Sequence, residues 1–181
     1  MTNLTDTTGT WQIDPTHTTI GFSVRHAMIA KVRGRFTDFA GSFTLNGDDP
    51  ANSSAQLTVL LTSVDTQNDD RDNHLRSAEF FDVESFPEMT FISTGVEAKG
   101  SDFVVTGDLS VHGVTKIVPV KFELVGISQD PWGNTRIGFE GEADINRRDF
   151  GLEWNVALDT GGVLVSENIK ITLDIEAVKQ A

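Results

Sequence analysis

The chain contains no cysteine and no tyrosine. The first absence excludes disulfides, thiolate metal centres and a cysteine nucleophile. The second means that no phenol hydroxyl lines any cavity the chain builds. Basic residues are scarce: 14 Lys and Arg face 27 Asp and Glu, for a net charge of −13 and a pI near 4.5. Such a surface repels phosphate backbones, so nucleic acid is not an expected partner. No run approaches the roughly 18 apolar residues of a membrane span. The opening MTNLTDTTGTWQID has neither a basic nor an apolar leader region, and a cytoplasmic location is the expectation. There is no nucleophile elbow, phosphate-cradling glycine loop or dinucleotide fingerprint. His17, His26, His74 and His112 are scattered, none at a recognised ligand spacing with a carboxylate, so neither a metal nor another cofactor is expected. The acids fall mostly on the wet faces of strands, which does not indicate a catalytic carboxylate pair.

What is present is alternation. The 181 residues are 38% hydrophobic and 23% charged, enough for one domain with a sizeable core. Ile20, Phe22, Val24 and His26 share one face of a strand, opposite Thr19, Ser23 and Arg25. Leu57, Val59 and Leu61 alternate in the same way. So do Phe103, Val105, Leu109 and Val111, then Val118, Val120, Phe122 and Leu124. Ile137, Phe139, Ala143 and Ile145 follow, and finally Ile169, Ile171, Leu173 and Ile175. Period two with one dry face is the mark of antiparallel sheet. Turn signals separate the runs, among them Asn46-Gly47, Lys99-Gly100, His112-Gly113, Trp132-Gly133 and Gly161-Gly162. Pro119, inside a strand pattern, marks an edge or a bulge.

This pattern predicts an all-β fold: an elongated antiparallel up-and-down β-barrel of about eight strands, with one short helical insertion near 70–82. Residues 1–10 are read as a flexible N-terminal segment and 11–179 as a single barrel domain. Asp69 or Asp70 is expected to cap the helix, which should end near Ala78, with Asp72 and Arg76 paired at i,i+4 on its exposed side and Leu75 pointing inward. A second irregular turn is expected around Asn146 to Gly151. A barrel of about eight strands either fills itself with side chains or encloses one ligand. The inward candidates are mostly Phe, Ile, Leu and Val, so an occupant should be largely apolar.

One stretch breaks the alternation. Asp69 to Phe91 is charged at one end and phenylalanine-rich at the other. The part from Arg71 to Asp82, followed by Phe86-Pro87-Glu88-Met89-Thr90-Phe91, resembles the hallmark of the YceI-like family of bacterial polyisoprenoid-binding proteins. Further matches are Trp11-Gln12-Ile13-Asp14-Pro15-Thr16-His17, Phe22-Ser23-Val24-Arg25-His26, Val32-Arg33-Gly34-Arg35-Phe36, Gly107-Asp108-Leu109, Gly113-Val114-Thr115-Lys116, and Ile145-Asn146-Arg147-Arg148-Asp149-Phe150-Gly151 with Leu152 and Trp154. Together they cover Trp11 to Val178. The resemblance implies a lipocalin-like barrel with a tunnel for a long isoprenoid chain, and many members are periplasmic.

The expected function is therefore non-enzymatic binding, transport or storage of a polyisoprenoid (a prenyl lipid, prenyl phosphate or quinone-type amphiphile). The candidate ligand-binding residues are Phe22, Val24, His26, Arg71, His74, Leu75, Arg76, Phe80, Phe81, Phe86 and Phe91. Arg71, His74 and Arg76 form a polar lip for a head group on this reading, and the phenylalanines wall or close the tunnel. Each has a plainer reading: His26 as a satisfied core histidine, the helix as a solvated face, the phenylalanines as ordinary core. Lys31, Arg33 and Arg35 alternate onto one side of a strand and are read as a solvated face, and Arg147 and Arg148 as pinning a turn. Two rival functions remain: a hydrolase or isomerase of a small amphiphile using His26 or His74, and a packed barrel that serves as a protein-interaction module. A homodimer is also an expectation, from the resemblance and the Pro119 edge.

Overall fold

The structure, a computed structural model, describes residues 3–159 and 161–181. Eleven strands form one antiparallel sheet: β1 (Gly9–Ile13), β2 (Thr19–His26), β3 (Ala30–Phe36), β4 (Phe39–Leu45), β5 (Ser54–Leu60), β6 (Val64–Asp65), β7 (Glu88–Lys99), β8 (Asp102–Val111), β9 (Val114–Gln129), β10 (Thr135–Asn146) and β11 (Val165–Lys179). Eight of them close into a barrel in the order β1-β4-β5-β7-β8-β9-β10-β11, with β11 returning to β1. The expected eight-stranded antiparallel barrel is the observed one. The additional strands β2, β3 and β6 extend from the other part of β11.

This branch comes from one interruption. β1 pairs with Ala177–Lys179 and β2 with Val165–Asp174, so the two are successive parts of one long strand laid along β11. Between them sits Pro15, which has no N–H to give a ladder. Thr18 bridges the break instead. Its hydroxyl donates to the Glu176 carbonyl and accepts from the Glu176 N–H, both at 3.1 Å. Below the break the chain pairs with β4, and above it with β3.

The lumen is kept open by a recurring local device. Phe22 lies directly opposite Gly34, and Phe122 opposite Gly141. A Cβ at Gly34 would fall 2.3 Å from the Phe22 ring, and one at Gly141 2.4 Å from Phe122. Each ring lies down over its glycine instead of standing in the interior. Register shifts at Ser93/Gly95 and Gly138/Phe139 bend β7 and β10 around the barrel.

β10 pairs with β9 only as far as Glu142↔Lys121. The earlier part of β9, with Pro119 in it, has β8 as its only strand partner among the described residues. Pro119 thus occupies a one-sided position, where its missing N–H breaks no second ladder. The 3-10 turn Arg147–Phe150 packs beside β9 here and buries Phe150, giving the expected second irregular turn.

The helix α1 (Asp69–Arg76) differs from expectation in detail. Its N-cap is Asn68, whose side-chain oxygen accepts from the Arg71 N–H, and not Asp69 or Asp70. Asp72 is not on the exposed side: it is buried and accepts from the Thr66 N–H at 2.9 Å and the Thr66 hydroxyl at 2.5 Å. Arg76 does not pair with it. Its guanidinium donates to the Thr62 and Val64 carbonyls, which staples the helix to the chain leading into β6. Within the N-terminal segment the described residues begin at Asn3. Leu4–Thr7 forms a 3-10 turn capped by Asn3, Thr7 is buried, and its carbonyl accepts from the Trp11 indole at 2.9 Å.

Candidate ligand-binding site

The interior holds two apolar chambers placed end to end. The one at the helix end measures about 480 Å³ and is walled by Phe22, Val24, Val32, Phe36, Leu75, Phe80, Phe81 and Trp154, among others. The distal one measures about 140 Å³ and is walled by residues such as Ile13, Phe43, Leu57, Phe91, Phe103 and Phe139. Ile20, Met89 and Ile171 belong to both walls and mark the neck where the two chambers meet. The larger chamber is within the usual size of small-molecule sites and the smaller one is below it, so the distal space suits only a slim chain reaching in from the neck.

Polar groups are unevenly shared. The helix-end chamber has Arg25, His26, Thr66, Asn68, Asp70, Arg71, His74 and Arg147 in its wall, and among the described residues no charged one lines the distal chamber. Arg25, His26, Asn68 and Asp70 are solvent-exposed, which places the opening between the end of β2 and the start of α1. Arg71, His74 and Leu75 line the chamber together because i, i+3 and i+4 share a helix face. Arg71 is held by two bonds to Thr66, from Nε to the hydroxyl at 2.7 Å and from Nη2 to the carbonyl at 2.8 Å. His74 Nε2 is 2.7 Å from Glu79 Oε2, and its ring stands edge-on to Trp154 at 4.4 Å. The Glu79 side chain is 63% exposed, so this pair is open to water and is not sealed inside the chamber.

Two residues expected at the site are not there. Arg76 is one position past Leu75, and a turn of about 100° per residue aims it at the Thr62–Val64 carbonyls. Phe86 packs on His112 at 4.9 Å and lies over Gly113, outside both chambers. Phe91 lines the distal chamber, while the other expected residues line the helix-end chamber.

Arg147 is the residue whose place in this wall the sequence reading missed. It is 1% exposed and has no carboxylate within ion-pair reach among the described residues. Its Nε donates to the Ser166 carbonyl, Nη1 to those of Leu152 and Trp154, and Nη2 to that of Val165. Burial pushes its pKa down from the ordinary arginine value. It does pin a turn, as expected, but it also brings a desolvated positive charge to the chamber wall, 5.9 Å from the Phe80 ring centre. The only sequence signal for it was the Asn146–Gly151 block of the resemblance.

A separate polar cluster lies on the outer wall. Arg136 donates to Asp130 at 2.8 Å, to Asp14 at 2.8 Å and to Glu176 at 2.7 Å, and His17 joins through Asp14 at 2.9 Å. Asp14, His17 and Glu176 are close enough to share a cation. The Arg136 guanidinium already supplies the positive charge there.

A domain model described as YceI-like matches residues 11–177. The chain belongs to the YceI-like family. A curated relative, Protein YceI of Escherichia coli O17:K52:H18, is 39% identical over 164 residues, covering 91% of this chain and 83% of that protein. A UPF0312 protein of Pseudomonas aeruginosa is 40% identical over the same shares of each chain. Among solved structures, the YceI protein of Campylobacter jejuni superposes with a TM-score of 0.75 at 28% identity, over 87% of this chain and 90% of that one. A polyisoprenoid-binding domain from Saccharophagus degradans shares the fold at a TM-score of 0.71 and 19% identity, over 94% and 98% of the two chains. The YceI-like barrel is thus the frame in which both chambers are built.

Proposed function

We propose that the protein binds a long-chain amphiphile of the polyisoprenoid class and carries or stores it without chemical change. The observation that carries this reading is the pair of apolar chambers joined at Ile20, Met89 and Ile171, with every charged wall residue at the open end. A tail threading the neck leaves water along its length, and each buried CH₂ contributes about 0.8 kcal/mol. The head group then rests near Arg71, His74 and Arg147. The polyisoprenoid-binding description of the Saccharophagus degradans domain supports the ligand class. The internal space weighs against a packed barrel that acts only as a protein-interaction module. The exposed His74–Glu79 pair weighs against a sheltered acid–base catalyst.

The test is organic extraction of the purified protein followed by mass spectrometry, with uptake of an added prenyl lipid as the second arm. A prenyl chain recovered in stoichiometric amount is the expected result. Repeated extraction of nothing, together with no uptake, overturns the reading. Recovery of a chemically altered lipid moves it to the enzymatic class.

A further inference from the structure

The β2–β3 hairpin is unlike the rest of this acidic molecule. Its outward face carries Arg25 opposite Lys31, Arg33 opposite Ser23, and Arg35 opposite Gly21. Lys170 of β11 lies beside Ser23 on the same face. Asp65 faces Arg35 at 3.7 Å and Glu142 faces Lys170 at 3.2 Å. Arg25, Lys31 and Arg33 are exposed and make no ion pair among the described residues. Glu97, Asp102, Glu123, Glu140, Glu142 and Asp174 outnumber Lys99 and Lys121 in a surface concavity that contains none of Arg25, Lys31 and Arg33.

The tip of this hairpin is apolar. Ala27 and Met28 take the left-handed turn conformation, with φ of 50° and 67°, where Asn-Gly or another small polar pair is the common choice. Met28 is 60% exposed and Ile29 84% exposed. The Ala27 N–H donates to the Leu164 carbonyl at 2.7 Å, which ties the tip to the loop that exposes Val156. Arg25, His26, Leu164 and Val165 all line the helix-end chamber, so tip and opening are continuous.

We propose that this hairpin docks on an anionic lipid surface and seats the opening of the chamber against it. Exposed apolar side chains at the tip, flanked by unpaired cations on an otherwise acidic molecule, complement the hydrocarbon boundary and negative head groups of such a surface. The bulk of the protein is repelled by the same surface, so only an approach with this edge first is favourable. Docking places the apolar chamber where a membrane lipid can enter it without crossing water. It gives the carrier reading a route for its cargo, but it is measured independently of whether any cargo is bound.

The experiment is cosedimentation of the full chain with vesicles of equal parts phosphatidylglycerol and phosphatidylcholine, against vesicles of phosphatidylcholine alone, at low and high salt. Binding to the anionic vesicles only, weakening with salt, is expected. Each cation near such a surface contributes a factor of about five, so Lys31→Ser with Arg33→Ser should weaken binding about 25-fold. Ile29→Ser should weaken it roughly tenfold, through lost apolar insertion. All three residues are exposed, and circular dichroism of the variants is the check that they stay folded. Equal binding to both vesicle types, no binding to either, or variants that bind like wild type each overturn the proposal. Binding to soluble polyglutamate but to no vesicle also overturns it and assigns the hairpin to an acidic protein. Lipid extraction of the same variants reports separately on the carrier reading.

Discussion

Replacing Gly34 by alanine tests whether the lumen depends on rings laid over glycines. In most strand interiors this change stabilises a protein by roughly 0.5–1 kcal/mol, because glycine loses more freedom on folding. Here the added Cβ would fall 2.3 Å and 2.8 Å from two atoms of the Phe22 ring and 2.9 Å from the Thr66 methyl. Thr66 cannot yield cheaply, since Asp72 and Arg71 both hold its hydroxyl. Phe22 must therefore swing, and its free direction is into the 480 Å³ chamber it lines. Overpacking of this kind costs about 1–3 kcal/mol, which set against the entropic gain leaves a net loss centred on about 1 kcal/mol and reaching about 2.5 kcal/mol. Gly126 is the control: its φ is not positive and a Cβ there meets nothing within 4 Å, so Gly126→Ala should be neutral or slightly stabilising. Urea denaturation of both variants gives the stability difference, and titration with a fluorescent fatty probe gives the loss of chamber space. If Gly34→Ala is as stable as Gly126→Ala and binds the probe as well as wild type, the ring-over-glycine account is wrong.

Met89→Trp should fill the neck and exclude the distal chamber, so mass spectrometry of bound or loaded lipid should show shorter chains than wild type holds. Arg147→Met should cost on the order of 3 kcal/mol, because four carbonyls lose a charged donor, and the urea midpoint should fall accordingly. The outer cluster sets a pH window. Hydrogen bonds from Thr16, His17 and Arg136 hold the Asp14 carboxyl well below its ordinary 3.8, and Arg136 followed by Asn134 does the same for Asp130. Their contribution is present above pH 3.8 and is lost as pH falls through the lower folded-state values. Asp14 and Glu176 raise His17 above its ordinary 6.5, so its contribution is complete below that pH and is lost as pH rises through the higher folded value. The difference in denaturation midpoint between wild type and Arg136→Gln should therefore be widest above pH 3.8 and narrow on acidification.

The barrel was legible because its inside is dry and its outside is wet: Ile20, Phe22 and Val24 alternate with Thr19, Ser23 and Arg25 for that reason alone. The strand count was less legible. The break at Pro15 spans only a few residues, and β6 is two residues long, too short to show a period. Spacing on α1 showed that Asp72 and Arg76 are four apart, but not that Thr66 and the Thr62–Val64 carbonyls would claim them. Phe22, Val24 and His26 were found by alternation, and Arg71, His74 and Phe80 through the resemblance. Phe86 misled because a place in the hallmark does not say on which side of the wall a ring falls. Arg147 depends on carbonyls at 152, 154, 165 and 166, and no local pattern announces a partner set that distant.

The interruption at Pro15 has a kinetic side. One end of the barrel is a ring of ladders in which every strand has two neighbours, and opening it means unfolding the protein. At the other end the sheet stops at β6, and among the described residues no ladder joins β6 to the strands beyond. Closure there falls to an eight-residue helix, too short to persist without its tertiary contacts. Native proteins open in separate cooperative units, and this end is the less stable unit. Hydrogen exchange across β8, β9 and β10 should therefore report global stability, and exchange in α1 an opening of lower free energy. Opening at the helix end is a local event that the ring outlasts.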